Sequence, residues 1–570
     1  MADEPAQQGN GRAAADEPAW HHAAAVYQVY LRSFADGSGA GIGDLAGLAA
    51  RLPYLRDLGV DAIWLTPWYV SPMADGGYDV ADYRDIDPLF GTLAEAEALI
   101  RAVHDHQLKI IIDIVPNHCS DQHRWFTAAL AAGPGSAAGT DSAAETDSAA
   151  GTDSAERARF WFRPGRGESG ELPPNDWQSM FGGPAWTRVT EPDGSQGEWY
   201  LHLYAPGQPD LNWDNPEVRT EFEDILRFWL DRGVDGFRID VADFLVKDPA
   251  LPDVAGLPAG ARKPWEDQDG LHDIYRSWRQ LIDSYPGHRV FVGEIWLKPL
   301  TRLRPYLAGD QLHTAFNFDF LGAPWDAAGL RAVIDMTLDS IGAKAPWVLS
   351  NHDVTRHLTR YGRASTSRER RPDPGPTDLS LGTRRARAAI MLSLALPGSS
   401  YLYQGEELGL WEVEDIPDEL IADPIYEQTG HVVRGRDGCR VPLPWQAGAP
   451  GFGFGPADGR PPWLPQPDAW QQLAADTQAR DSDSMLALYR DLLRIRRGSP
   501  YLASDGLEWQ AAPAGVLAFS RGASFSCVVN FSAEPIPLPP HDELLLTSAP
   551  LDSGRLPTDT AAWLRTVSRR

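Results

Sequence analysis

Eight short apolar segments, separated by stretches of helical period, constrain this chain more than any other feature. They are AVYQVYL (25–31), DAIWLTP (61–67), KIIIDIV (109–115), VDGFRID (234–240), RVFVGEIW (289–296), HTAFNFDF (313–320), APWVLSNHD (345–353) and SSYLYQGEE (399–407). The third is an almost unbroken apolar run, the pattern of a strand covered on both faces. Amphipathic helices fit 45–59, 92–107, 217–232 and 272–285 between them. Strand–helix alternation sustained this long predicts a parallel sheet wrapped in helices, and eight units predict a closed (β/α)8 TIM barrel.

Three stretches interrupt the alternation. Residues 1–24 are Ala-, Asp- and Gln-rich and read as a disordered tail. Residues 119–203 form an excursion after the third strand, long enough to predict an inserted subdomain. Within it, 133–156 is low in complexity and includes GTDSAAETDSAAGTDSAE, which has too little apolar surface to order itself. The barrel then spans 25–118 and 204–499, with a Pro- and Gly-rich excursion at 409–470 after the eighth strand. Residues 500–570 carry short alternating segments such as FSCVVNFS and read as a C-terminal all-β domain.

A net charge of −28 disfavours nucleic acid and anionic lipid as partners and is indifferent to a neutral sugar. Three cysteines without CxxC or His spacing suggest neither a disulfide framework nor a zinc site. No apolar h-region opens the chain and no run is long enough to span a bilayer, so the expectation is a cytoplasmic monomer or homodimer.

Working residues of a (β/α)8 barrel sit where strands give way to the following loops. Here those ends carry Asp113, Asn117 and His118 (third strand), Arg238 and Asp240 (fourth), Glu294 (fifth), and His352 and Asp353 (seventh). Four carboxylates, two histidines and an arginine on one rim exceed what folding alone requires. No nucleophile elbow, phosphate loop or Cys–His pair is present, which disfavours acyl and phosphoryl transfer. Opposed carboxylates with hydrogen-bonding neighbours suit glycosidic bonds. Arg238 lies two residues before Asp240, so both side chains leave the strand on one side, and a guanidinium there favours the ionised aspartate.

The strings DIVPNH (113–118), GFRIDVAD (236–243), GEIW (293–296) and SNHD (350–353) resemble the four ordered signature segments of the α-amylase family, glycoside hydrolase family 13. QPDLNW (208–213) resembles that family's marker for its oligo-glucosidase branch, and GGYDVADYRDIDPLFG and GCRVPLPW look like α-glucosidase sequences. The resemblance implies Asp240 as nucleophile, Glu294 as general acid and then base, and Asp353 as the third carboxylate. It implies Tyr78 as an aromatic platform and His118, Arg238 and His352 as sugar-site groups, with Asp113 holding Arg238 and Asn117 structural. Asp75 and Arg440 match an ion pair that closes the pocket around a terminal glucose, which implies exo-action. No cofactor is implied.

The resemblance leaves linkage open. Val241 follows the nucleophile as in α-1,6-preferring relatives, while the surrounding strings are more like α-glucosidases, so α-1,4 substrates are narrowly favoured. A glucosyltransferase or isomerase would use the same Asp240 and Glu294. A non-catalytic binding homologue would have lost them. Many relatives carry a calcium loop where this chain reads ADGSGAGIGDL (35–45); Asp36 and Asp44 remain, but Ser38 and Ala40 replace oxygen-rich positions, so no tightly held metal is expected.

Overall fold

A computed structural model describes residues 19–133, 154–191, 193–258, 260–344, 346–365, 375–502 and 505–566. Most of the low-complexity segment lies outside these residues. Eight parallel strands follow the eight apolar segments: β1 (Ala25–Val29), β2 (Ala62–Leu65), β3 (Lys109–Ile114), β4 (Gly236–Ile239), β5 (Val290–Gly293), β6 (Thr314–Ala315), β7 (Trp347–Val348) and β8 (Ser400–Tyr403). Their order in the sheet is 6-5-4-3-2-1-8-7, the circular order of a barrel with its seam between the two-residue strands β6 and β7. The sheet curls onto itself. Phe316, just past β6, lies 5.3 Å from the ring of Trp64 on β2 and 5.0 Å from that of Tyr401 on β8.

Side-chain alternation explains why both faces are apolar. Val26, Ala62, Trp64, Ile111, Val290, Val292, Val348 and Tyr401 fill the interior, while their neighbours Tyr27, Ile63, Ile110, Ile112, Phe237 and Phe291 pack outward in the main core. Gly236 starts β4 because a Cβ there would sit 2.4 Å from both the Cγ1 and the carbonyl oxygen of Val290. The outer layer comprises α1 (Leu45–Leu58), α2 (Leu93–Asp105), α3 (Pro216–Asp231), α4 (Leu271–Asp283), α5 (Ala327–Ile341), α6 (Leu379–Ala395) and α7 (Met485–Gly498). Their starts follow local chemistry: Thr92 and Glu95 form a capping box on α2, and Asn215 caps α3 ahead of Pro216.

The segment HTAFNFDF is only partly strand. Asn317 accepts the Phe320 N–H and turns the chain into a short helix at Phe318–Gly322. The tail also orders earlier than its composition suggests: Trp20–His22 forms a turn, Trp20 donates to the His288 carbonyl at 2.8 Å, and Ala24 is buried in the barrel interior.

Between β3 and β4, the strands Phe162–Arg163, Trp186–Thr190 and Gln196–Leu201 form an antiparallel sheet. Its Trp161, Trp177 and Trp186 share a cluster with Val241, Phe244 and Trp265, so it packs directly on the loop after β4. After α7, a five-stranded antiparallel sheet covers α6, with Trp563 donating to the Met391 carbonyl at 3.0 Å and Arg521 to that of Ala395 at 2.7 Å. Among the described residues no helix is long and apolar enough to cross a membrane.

The loop of residues 36–44 is organised by backbone donors. Asp36 Oδ1 accepts the N–H groups of Ser38, Gly39 and Ala40 at 2.7–3.3 Å, and its Oδ2 accepts that of Gly41 at 2.8 Å. Asp44 accepts from Gly37, Ser38 and Gly47 at 2.7–2.9 Å and caps α1. With these lone pairs directed at N–H groups and no oxygen side chain at Ala40, the loop does not fit a calcium ion, which takes six or more oxygens. Adding EDTA or millimolar calcium should shift the melting temperature by less than about 1 °C, whereas Asp36→Ala, which removes the acceptor of four loop N–H groups including the buried one of Gly41, should cost roughly 1–3 kcal/mol in chemical denaturation.

Candidate active site

The inner rows of the barrel turn polar at the ends of the strands. Val26 is followed two residues on by Gln28, Ile111 by Asp113, Arg238 by Asp240 and Val292 by Glu294; beyond Val348 come Ser350 and His352. With a period of two, each of these points into the same cavity as the residue two positions before it. Register places Asp113 beside Arg238 across β3 and β4, and Ile239 beside Gly293 across β4 and β5.

Arg238 gathers the carboxylates. Its Nη1 donates to Asp113 Oδ1 and to Asp240 Oδ1, both at 2.7 Å, and its Nη2 donates to Glu294 Oε2 at 2.5 Å. Asp240 and Glu294 therefore face one compartment. They are 6 % and 7 % exposed, against 1 % for Asp113, so the pair is the part of the cluster open to a ligand. Asp113 is tied down further, accepting from the Trp64 indole and the Tyr78 hydroxyl, each at 3.0 Å. Tyr78 stacks on His352 with 5.2 Å between centroids and 6° between planes.

The expectation that Arg238 keeps Asp240 ionised meets a competing effect. Burial raises the Asp240 carboxyl well above its ordinary range; Arg238 opposes this, but Glu294 and Asp113 repel the charge again. Asp113 is likewise pushed up to about 6 by burial against the pull of Arg238. One guanidinium shared among three carboxylates cannot neutralise them all, so the cluster favours taking up a proton.

The opposite wall is rich in cations. Asp353 lies 3.2 Å from Arg440 Nη2, 3.3 Å from Arg436 Nη1 and 3.3 Å from His352 Nε2. Burial alone would raise it, but His352, Arg436, Arg440 and Arg238 together hold it far below the usual carboxylate range. His352 and His118 are both lowered, chiefly by burial, and so are neutral imidazoles. Gln28 donates to His352 Nδ1 at 2.7 Å, which leaves the proton on Nε2, facing Asp353.

Asp75 and Arg440 are not each other's partners. The cation on Asp75 is Arg436, at 2.5 Å, while Arg440 spends its Nε on the His352 carbonyl at 2.9 Å. Arg436 is four residues nearer the N-terminus and is held by Asp423 through its Nε at 2.6 Å and its Nη2 at 3.1 Å. Nothing local marks Arg436 over Arg440, and its bond to Asp75 spans 361 positions.

QPDLNW forms the remaining wall. Gln208 donates to Asp75 at 3.0 Å and lies 3.2 Å from His118 Nε2, and Trp213 donates to the Pro116 carbonyl at 2.8 Å. Asp210 pairs with the buried Lys247 at 2.7 Å, and Lys247 also donates to Asn117 at 2.7 Å, giving Asn117 a bracing place behind His118. Gln208, Arg436 and Trp296, which donates to Glu294 Oε1 at 2.9 Å, are site residues that sequence reasoning missed.

Removing Arg436 tests the cation wall. Asp423 is held down at about 2, with burial opposing and Arg436 first among the groups that lower it. Its stabilising contribution is therefore complete above the unfolded-state value near 4 and is lost as pH falls through about 2. Arg436→Met leaves Asp423 and Asp75 buried without their cation and should cost roughly 3–5 kcal/mol at pH 7. The deficit should shrink as pH falls and Asp423, deprived of its cation, takes up a proton; denaturant titrations at pH 7, 5 and 4 check this.

The alpha amylase catalytic-domain model matches residues 28–505, and a domain family of unknown function matches 504–563. A probable alpha-glucosidase of Rhizobium meliloti (strain 1021) is 35 % identical over 541 residues, covering 90 % of both chains. An oligo-1,6-glucosidase of Parageobacillus thermoglucosidasius is 32 % identical over 531 residues, covering 84 % of both. Among solved structures, an alpha-glucosyl transfer enzyme, XgtA, superposes with a TM-score of 0.80 at 34 % identity, covering 97 % of this chain and all of that one. The chain belongs to the α-amylase family of glycoside hydrolases, glycoside hydrolase family 13.

Proposed function

We propose that this enzyme is a retaining, exo-acting α-glucosidase that releases terminal glucose from short α-glucosides, with maltose and malto-oligosaccharides favoured. The observation that carries the reading is the pair Asp240 and Glu294, on adjacent strands and joined through the two terminal nitrogens of Arg238. In the first step Asp240 bonds to the anomeric carbon while the glycosidic C–O bond breaks, and the leaving oxygen takes a proton from Glu294. In the second, Glu294 takes a proton from water as its oxygen displaces Asp240.

The surrounding charges suit that chemistry. Asp353, held anionic by two arginines, can accept hydrogen bonds from ring hydroxyls without competing for the proton. Neutral His118 and His352 can donate N–H bonds to a sugar without adding positive charge beside an oxocarbenium-like transition state. Tyr78, its ring stacked on His352, is the candidate platform beneath the glucose. The Asp75–Arg436 bridge, with Arg440 behind it on Asp353, ties the loop after β2 to the excursion after β8 and supports a pocket closed at one end.

A transferase reading is favoured by likeness to the alpha-glucosyl transfer enzyme. It shares both carboxylates and differs only in whether water or a sugar reaches the glucosyl intermediate. The oligo-1,6-glucosidase relative keeps α-1,6 substrates as a further alternative.

Asp240→Asn should lower kcat/KM on maltose by at least ~10³-fold. A slowly turned-over fluorinated glucosyl donor should label the Asp240 peptide in wild type, as read by mass spectrometry. Label on any other residue, or a loss below tenfold in the variant, would overturn the nucleophile. Glucose as the sole product of maltose supports hydrolysis, and new oligosaccharides support transfer; initial rates on maltose and isomaltose rank the linkages.

A further inference from the structure

Among the described residues, the Glu294 carboxylate accepts only N–H groups. Oε2 receives two, from Arg238 Nη2 at 2.5 Å and from the Val241 backbone at 3.2 Å. Oε1 receives the indole N–H of Trp296 at 2.9 Å. Each carboxylate oxygen has about two lone-pair directions, so Oε2 is filled and Oε1 retains one. Trp296 cannot readily turn away, because its ring lies flat against Phe318 with 3.5 Å between centroids and 2° between planes. Aromatic pairs left to themselves prefer offset or edge-on packing, so the sandwich needs a further anchor, and the bond to Glu294 is one.

We propose that Trp296 is a positioning residue for Glu294: its indole N–H fixes Oε1 so that the remaining lone-pair direction of that atom is where the carboxyl proton is bonded before it passes to the leaving oxygen, and where a proton from water is later taken up. The inference rests on the reading of Glu294 as the general acid and base. The Phe318 stack holds the ring, and the ring aims the carboxylate. Trp296→Phe keeps an aromatic face against Phe318 and removes only the donor.

Protonation matters most for poor leaving groups, which provides a readout that a merely structural role would not move. Phenyl, 4-chlorophenyl and 4-nitrophenyl α-glucosides have nearly one shape and differ in how much proton help the phenolate needs. Trp296→Phe should lower kcat/KM on the phenyl glucoside by about 10-fold or more and on the 4-nitrophenyl glucoside by less than about 3-fold. Glu294→Gln should show the same asymmetry, larger. Equal losses across the series, an unchanged phenyl rate, or an effect confined to KM would overturn the role of Trp296 while an asymmetric Glu294→Gln leaves the acid assignment standing. A symmetric Glu294→Gln would overturn both. If Trp296→Phe does not fold, Trp296→Leu takes the same series, with the wild-type melting temperature as reference.

Discussion

One guanidinium organises this enzyme. Arg238 projects into the barrel from β4 and binds a carboxylate from the strand on each side as well as one from its own. Three buried acids would repel each other and resist desolvation without it, and a buried cation with one partner would be nearly as costly. The arrangement is stable because the charges are grouped, yet grouping stops short of neutrality. The residual negative charge favours a proton within the cluster.

The far wall solves the opposite problem. Asp353 is half-buried and surrounded by Arg436, Arg440 and a neutral imidazole, which hold it as an anion. The arginines are in turn supported by Asp75, Asp423 and the His352 carbonyl. Two carboxylate groups in one cavity are thus driven in opposite directions by their surroundings: burial and the neighbouring carboxylates raise Asp240 against the pull of Arg238, and His352 with the arginines lowers Asp353.

The barrel was legible because its signal is local and repeated. Each strand announces itself by composition, and a period of two says which residues face inward, so Asp113, Arg238, Asp240 and Glu294 could be placed from sequence. The Asp75 partner could not. Arg436 and Arg440 both lie on a loop without periodicity, and which one reaches Asp75 depends on how residues 423–440 fold against a loop hundreds of positions earlier. Likewise, the sharing of Arg238 is a property of three strands at once; from GFRID alone only the Asp240 contact is visible, and that contact by itself argues for the wrong direction of the Asp240 shift. Asn317 hid in an apolar segment for the converse reason, a local cap overriding strand composition.

Val241 shows how backbone and chemistry meet. It has φ of +45°, a region that costs a β-branched residue about 1–3 kcal/mol. In this conformation the chain turns sharply after Asp240, with Phe244 N–H bonded to the Val241 carbonyl at 3.1 Å, and the Val241 N–H meets Glu294 Oε2. The adjacent Ala242 N–H bonds to the Glu294 carbonyl at 2.9 Å, so the loop after Asp240 grips Glu294 by side chain and backbone together. The tryptophan-rich inserted sheet packs on the same turn, with Val241 inside its cluster. The strain is therefore held by tertiary packing, and the residue after Asp240 has a conformational task distinct from any contact its side chain makes with a sugar.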